Sequence, residues 1–388
     1  MVEKIVIIVA NYFTYRDYKR YGVEILESNN FLVEIWDLSI VLSPKTIFEI
    51  KKTSSKDFSK EVKRYVKMSE VLRSVKAEKK ETFFITTIIY NYKTIFLFKY
   101  IGKYGFEYGA TGPYTFNYAP KLFSSSSQLS IFNRKFSDLF KGLINKILCR
   151  KRLMRILGVN YAKVFFAAGG SEVFAEGPIV GNNTLLIKGP SSDYDSLRDT
   201  ENLSQDYILF LDQYLPFHPD FKTSQHKNNL SVDQYYNELK KTFSQIENLT
   251  NLKVLIAAHP KAYYHDKQHL FGKRKIYHNV NSSQLAKNAK LILMHYSMSI
   301  SMAVLLNKPI LFLSSDTFKN SFSGICTNNL AKWFETKPIN MSKKITHLET
   351  LYAKPSVYPK YKDAYLKSPS SSDELFWQQV ANYIKGNN

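Results

Sequence analysis

Cysteine is nearly absent: two of 388 residues, Cys149 and Cys326, which lie far apart and in no C-x-x-C pair. Two such residues do not make a disulfide framework, and the composition fits a reducing compartment. No uninterrupted apolar run reaches the ~18 residues needed to cross a bilayer. The longest stretch, around Ile292 to Leu313, is broken by His295, Asn307, Lys308 and Pro309. The start, Met1 to Ala10, lacks the pattern of a signal peptide and reads as a first buried strand. Also missing are H-E-x-x-H, a Walker A loop, G-x-S-x-G and any carboxylate or histidine cluster at metal-ligand spacing. Neither a metal nor a bound cofactor is therefore expected.

Acid is scarce relative to base. Asp and Glu number 33 against 54 Lys and Arg, a net charge of +21 that draws the chain towards polyanions. Nucleic acid, anionic lipid headgroups and a nucleotide-sugar all qualify. The excess can equally be compositional, since Lys, Asn, Ile, Tyr and Phe are all abundant.

What is present is ordinary for a globular protein: 44% hydrophobic residues over a length that exceeds one core. Two α/β domains are expected, over 1–188 and 207–370, joined by a Gly/Pro/Ser/Asp-rich linker at 189–206. A final helix over 371–388 is expected to cross back to the first domain. Strands are predicted at Ile5 to Ala10, Phe31 to Trp36, Phe83 to Tyr90 and Val164 to Ala168. A second Rossmann-like series follows, at Tyr207 to Leu211, Lys253 to Ala258, Leu291 to Met294 and Pro309 to Leu313. Ser54 to Lys80 reads as an amphipathic helix. Gln128 to Leu157 reads as a basic amphipathic helix, either lying on an anionic membrane surface or packed with a solvated basic face.

Three strand ends in the second half carry ionisable or hydroxyl groups. The first, Leu255 to Lys261, ends in His259, Pro260 and Lys261, placing an imidazole and an ammonium where open α/β sheets bind ligands. Histidine can protonate a departing phosphate and lysine offers it a point charge; alternatively His259 caps the strand and Lys261 is solvated. The second, from Leu291, runs through His295, Ser297 and Ser299 into a helix, which suits a phosphate cradle or plain serine capping. The third runs from Phe210 through Asp212, Gln213, Pro216, His218 and Pro219 to Asp220. Either acid could act as a nucleophile or base at a sugar anomeric centre, or could hold a turn. Upstream, Lys188 to Asp195 either reaches the same cleft or is a turn-rich linker.

Together these motifs, with Ala303 and Lys308-Pro309, resemble bacterial capsule and lipopolysaccharide glycosyltransferases over roughly residues 185–315. The nearest in style are retaining Kdo transferases of the capsule-synthesis type. The resemblance implies a GT-B fold, two Rossmann-like domains facing each other across a cleft. It implies a CMP-activated ulosonic acid held by Gln213, His259, Lys261, His295, Ser297 and Ser299 in one shared pocket. It makes Asp220 the candidate nucleophile, although Pro-Phe-His-Pro stands between the two acids in place of a shorter turn containing glycine. The acceptor would be a glycan or lipid-linked glycan. The location would be cytoplasmic, with peripheral placement on the inner face of the inner membrane through the basic helix.

Three alternatives stand beside this reading: a UDP- or GDP-sugar or polyol-phosphate transferase of the same pathway class, a basic nucleic-acid-binding protein, and a silent scaffold. Nucleic acid is not the expected partner.

Overall fold

The computed structural model describes residues 2–44, 61–111, 136–170, 178–197, 206–218, 230–260, 262–278 and 282–386. The chain divides into two compact units, the first formed by 1–116, 131–192 and 367–388, the second by 117–130 and 193–366.

The first unit is a seven-stranded parallel sheet of order β3-β2-β1-β4-β5-β6-β7. Its strands are β1 (Lys4–Val9), β2 (Leu32–Asp37), β3 (Val62–Arg64), β4 (Thr82–Thr86), β5 (Tyr108–Thr111), β6 (Val164–Ala168) and β7 (Leu185–Gly189). After Lys4 the strand reads IVIIV, apolar and buried throughout because both sheet faces are covered. Val6 and Ile8 join one core with Trp36, Phe84 and Phe98; Ile5, Ile7 and Val9 join the other with Val33, Ile35 and Phe166. That division follows the period of two along a strand.

Two short helices, α1 (Tyr15–Arg20) and α2 (Val23–Ser28), stand where one continuous helix from Asp17 to Glu27 is expected. Gly22 separates them at φ +54°, a left-handed conformation that costs other residues about 1–2 kcal/mol. The first sheet face is covered by α3 (Met68–Ala77), α4 (Ile95–Lys103) and the pair α5 (Phe136–Leu148) and α6 (Lys151–Ile156). The long helix expected from Ser54 is thus shorter, and Val62 belongs to an edge strand. Residues 128–135 of the expected basic helix lie outside the described residues, and the remainder is broken before Lys151.

The second unit is a six-stranded parallel sheet of order β10-β9-β8-β11-β12-β13. It comprises β8 (Tyr207–Leu211), β9 (Lys253–Ala257), β10 (Ile276–Tyr277), β11 (Ala289–Met294), β12 (Ile310–Ser314) and β13 (Ile339–Asn340). Helix α7 (Val232–Thr250) starts where the Ser231 hydroxyl accepts the Gln234 N–H and stops at Asn251, left-handed at φ 57°. Its buried face, Tyr235, Tyr236, Leu239, Phe243 and Ile246, packs on Phe210 and Ile256. The opposite face is covered by α8 (Ser282–Asn288), α9 (Ile300–Leu305) and α10 (Phe322–Trp333). The last helix, α11 (Phe376–Gly386), belongs to the first unit, where Phe376, Trp377, Val380 and Ile384 pack with Ile5, Ile7 and Phe166.

Candidate functional site

In both sheets the strand order reverses once, between β1 and β4 in the first and between β8 and β11 in the second. Open parallel sheets bind ligands beyond the carboxyl ends of the strands at such a reversal. The second-unit reversal is where the three strand-end motifs emerge.

At the end of β8, Asp212 is buried and both carboxylate oxygens are occupied. One accepts the Tyr214 N–H at 2.9 Å; the other accepts the Tyr264 hydroxyl at 2.9 Å and the His259 N–H at 3.3 Å. Burial pushes its pKa up, outweighing the hydrogen bonds that favour the carboxylate. In this arrangement Asp212 positions the backbone of His259, the turn-holding role that stood as the alternative to action on the sugar. Tyr214 follows in the left-handed region at φ 54°, unusual for an aromatic residue and held by its bond to Asp212. Neighbouring Gln213 accepts the Tyr296 N–H at 2.8 Å, fastening the end of β8 to the end of β11 across the reversal.

His259 closes β9. Its ring is half-buried and lies edge-on to the His218 ring, with centroids 4.8 Å apart. Asp212 and the β8 exit loop thus bring two imidazoles together at one strand edge.

His295 is elsewhere. Its ring is wholly buried, packed against Phe210, Phe318 and Tyr235. Nδ1 lies 2.7 Å from the Leu313 carbonyl, which can only accept, so Nδ1 carries the proton. Nε2 then accepts the Tyr235 hydroxyl at 2.8 Å. Burial lowers the pKa to about 4, so the ring is neutral at pH 7. With no exposed surface and both nitrogens engaged, the His295 ring does not offer a donor phosphate the direct contact expected of it in this conformation. His295 braces β11 against β12 and α7.

The turn after β11 carries Ser297 and Ser299, both half-buried. The Ser297 hydroxyl accepts the Ser299 N–H at 3.2 Å, and the Ser299 hydroxyl has no hydrogen-bond partner among the described residues. One turn on, the Ser301 hydroxyl donates to buried Asp193, so the segment from Lys188 to Asp195 does reach the base of this motif. Lys261 and Asp220 lie outside the described residues.

Sequence reasoning missed the supports. Tyr235 and Tyr264 are not among its candidate residues, although a tyrosine pair at 235–236 on a helix facing the sheet signals polar groups carried into a core. It also missed Ser314 at the end of β12, whose buried hydroxyl has no hydrogen-bond partner among the described residues. An unsatisfied buried hydroxyl costs about 1–3 kcal/mol and marks a place where a ligand could contribute the missing bond. No group of three or more His, Cys, Asp or Glu able to hold a metal occurs among the described residues.

The reversal between β1 and β4 in the first unit holds a cavity of about 470 Å³. Asn11, Arg20, Asn91, Lys93 and Thr94 supply polar groups to its wall.

Two Rossmann-like units with parallel sheets of this order place the chain in the GT-B class of fold. No protein-family model and no curated protein matches the chain. Among solved structures, a variant of the wall teichoic acid polymerase TagF aligns over 99% of this chain and 89% of that chain, at 13% identity and TM-score 0.54. The UDP-GlcNAc 2-epimerase of Methanocaldococcus jannaschii aligns over 99% of both chains at 12% identity and TM-score 0.45. MurG of Acinetobacter baumannii aligns over 99% of both at 10% identity and TM-score 0.44. At such identities the likeness concerns the fold, and it does not extend to the Kdo-transferase type.

Proposed function

We propose that the protein is a GT-B glycosyltransferase of cell-surface polymer synthesis, moving a sugar or polyol phosphate from a nucleotide-activated donor to a glycan acceptor. A UDP-linked sugar or a polyol-phosphate donor is preferred to a CMP-linked ulosonic acid, a preference supported by a wall teichoic acid polymerase standing among the solved structures of like fold, at TM-score 0.54.

The observation that carries the reading is the His259 strand end. Its backbone N–H is fixed by buried Asp212, and its imidazole stands beside His218 at the carboxyl edge of a parallel sheet. An imidazole held there can donate a hydrogen bond or proton to the departing phosphate, a contribution on the order of 10²–10⁴ in rate. The Ser299 hydroxyl and the orphaned Ser314 hydroxyl on the adjoining strand ends would add donors to the same anion. The first-unit cavity, with Arg20 and Lys93 in its wall, would take the acceptor. Asp220 and Lys261 keep the roles the resemblance gives them, candidate nucleophile and phosphate cation.

Calorimetric titration with UDP, CDP and CMP tests this. Saturable binding of one nucleotide is expected, and His259→Ala should lower turnover by roughly 100-fold or more while leaving Tm in place. A preference for CMP would restore the ulosonic acid donor. Failure of all three nucleotides to bind would defeat the proposal.

A further inference from the structure

Between Gly142 and Ile156 the chain has Lys146, Arg150, Lys151, Arg152 and Arg155 and no Asp or Glu. At ~100° per residue, α5 from Gly142 onward separates into two faces. Asn145, Leu148 and Cys149 turn inward: Asn145 accepts the Tyr92 N–H at 3.0 Å, while Leu148 and Cys149 pack on the core of the first unit. Met154 of α6 is buried in the same core. The other face carries Leu143, Lys146, Ile147 and Arg150, all exposed.

What distinguishes this face from a solvated basic surface is its aliphatic content. Leu143 is 56% exposed, Ile147 41% and Ile156 73%, interleaved with the five cations. A merely solvated helix gains nothing from isoleucine and leucine there. Nucleic acid would pair with the cations but has no apolar phase for the aliphatic groups, whereas the boundary between headgroups and acyl chains accepts both.

We propose that the outer face of α5 and α6 docks on an anionic lipid membrane, with Leu143, Ile147 and Ile156 entering the acyl boundary and the five cations meeting lipid phosphates. Each cation near such a surface contributes roughly five-fold in partitioning, the equivalent of about 1 kcal/mol.

Flotation of the full chain with phosphatidylglycerol/phosphatidylethanolamine vesicles, and with phosphatidylcholine vesicles, tests this. Recovery is expected with the anionic vesicles only. Leu143→Glu combined with Ile147→Glu should abolish it, and Lys146→Ala with Arg150→Ala should reduce it on the order of 25-fold. Both pairs are solvent-facing, so an unchanged Tm and unchanged nucleotide titration show that fold and donor site survive, which keeps this result separate from the fate of the transferase reading. Recovery of the Leu143/Ile147 variant equal to wild type would overturn the proposal, as would absence of wild-type flotation. So would saturable oligonucleotide binding that depends on the cations and not on Leu143 and Ile147, which would assign the face to nucleic acid.

Discussion

The two sheets share a winding rule but treat their reversal points differently. In the first unit the gap between β1 and β4 opens into a cavity of about 470 Å³ with Arg20 and Lys93 in its wall. In the second, the gap between β8 and β11 is spanned by the Gln213 to Tyr296 hydrogen bond, flanked by buried Asp212 and buried His295. Each unit also buries an aspartate at a strand end. Asp37, the last residue of β2, accepts the Phe13 and Ser39 N–H groups, as Asp212 accepts those of Tyr214 and His259. The contrast teaches that a reversal point can be used in two ways, as an open receptacle or as a braced ledge that holds neighbouring loops at fixed angles.

The brace can be broken most strongly through His295. Its folded pKa, about 4, lies below the ordinary value near 6.5, so above pH 6.5 both folded and unfolded states hold it neutral and nothing is lost. As pH falls below 6.5 the unfolded chain takes up the proton first, and stability declines until about pH 4, by roughly 3 kcal/mol. Denaturant midpoints between pH 7 and pH 4 should show this slope, and His295→Gln should flatten it while lowering stability at pH 7. A slope that survives the substitution would place its origin elsewhere.

The receptacle is tested next. Arg20→Ala with Lys93→Ala should raise the acceptor KM by at least about tenfold, the value of one or two charge-assisted bonds, with nucleotide affinity unchanged. If nucleotide affinity falls instead, the roles of the two reversal points are exchanged. The smallest effect concerns Ser314, whose buried hydroxyl lacks a partner among the described residues. Ser314→Ala should raise stability by about 1 kcal/mol, by removing the unsatisfied hydroxyl, yet weaken nucleotide binding measurably. Equal binding by both forms would remove Ser314 from the site.

Legibility in the sequence tracked how much each segment depends on its own residues. Tyr207 to Leu211 and Val164 to Ala168 were readable to the residue, because a strand buried on both faces needs a continuous apolar run. The edge strands at Val62, Ile276 and Ile339 were not, being two or three residues long and defined by their neighbours' hydrogen bonds. At the site, His259 was legible as a polar residue ending an apolar strand. His295 carried the same local signature, and only the tyrosine opposite it, sixty positions away in the chain, separates a buried brace from a half-buried imidazole. Long-range pairing of that kind leaves no periodicity to read.

The return of α11 to the first unit has a consequence for synthesis. Trp377 lies where a Cβ on Gly22 would stand 2.2 Å from its ring, and its indole N–H donates to the Arg20 carbonyl at 2.7 Å. Until the ribosome has added α11, Ile5, Ile7 and Val33 lack its cover, so the first unit is completed only after the second has been made. The second unit, whose main segment runs from Asp193 to Leu366, can mature while its neighbour waits. Nascent chains stalled before Phe376 should therefore hold a protease-resistant second unit beside an apolar face that chaperones can grip.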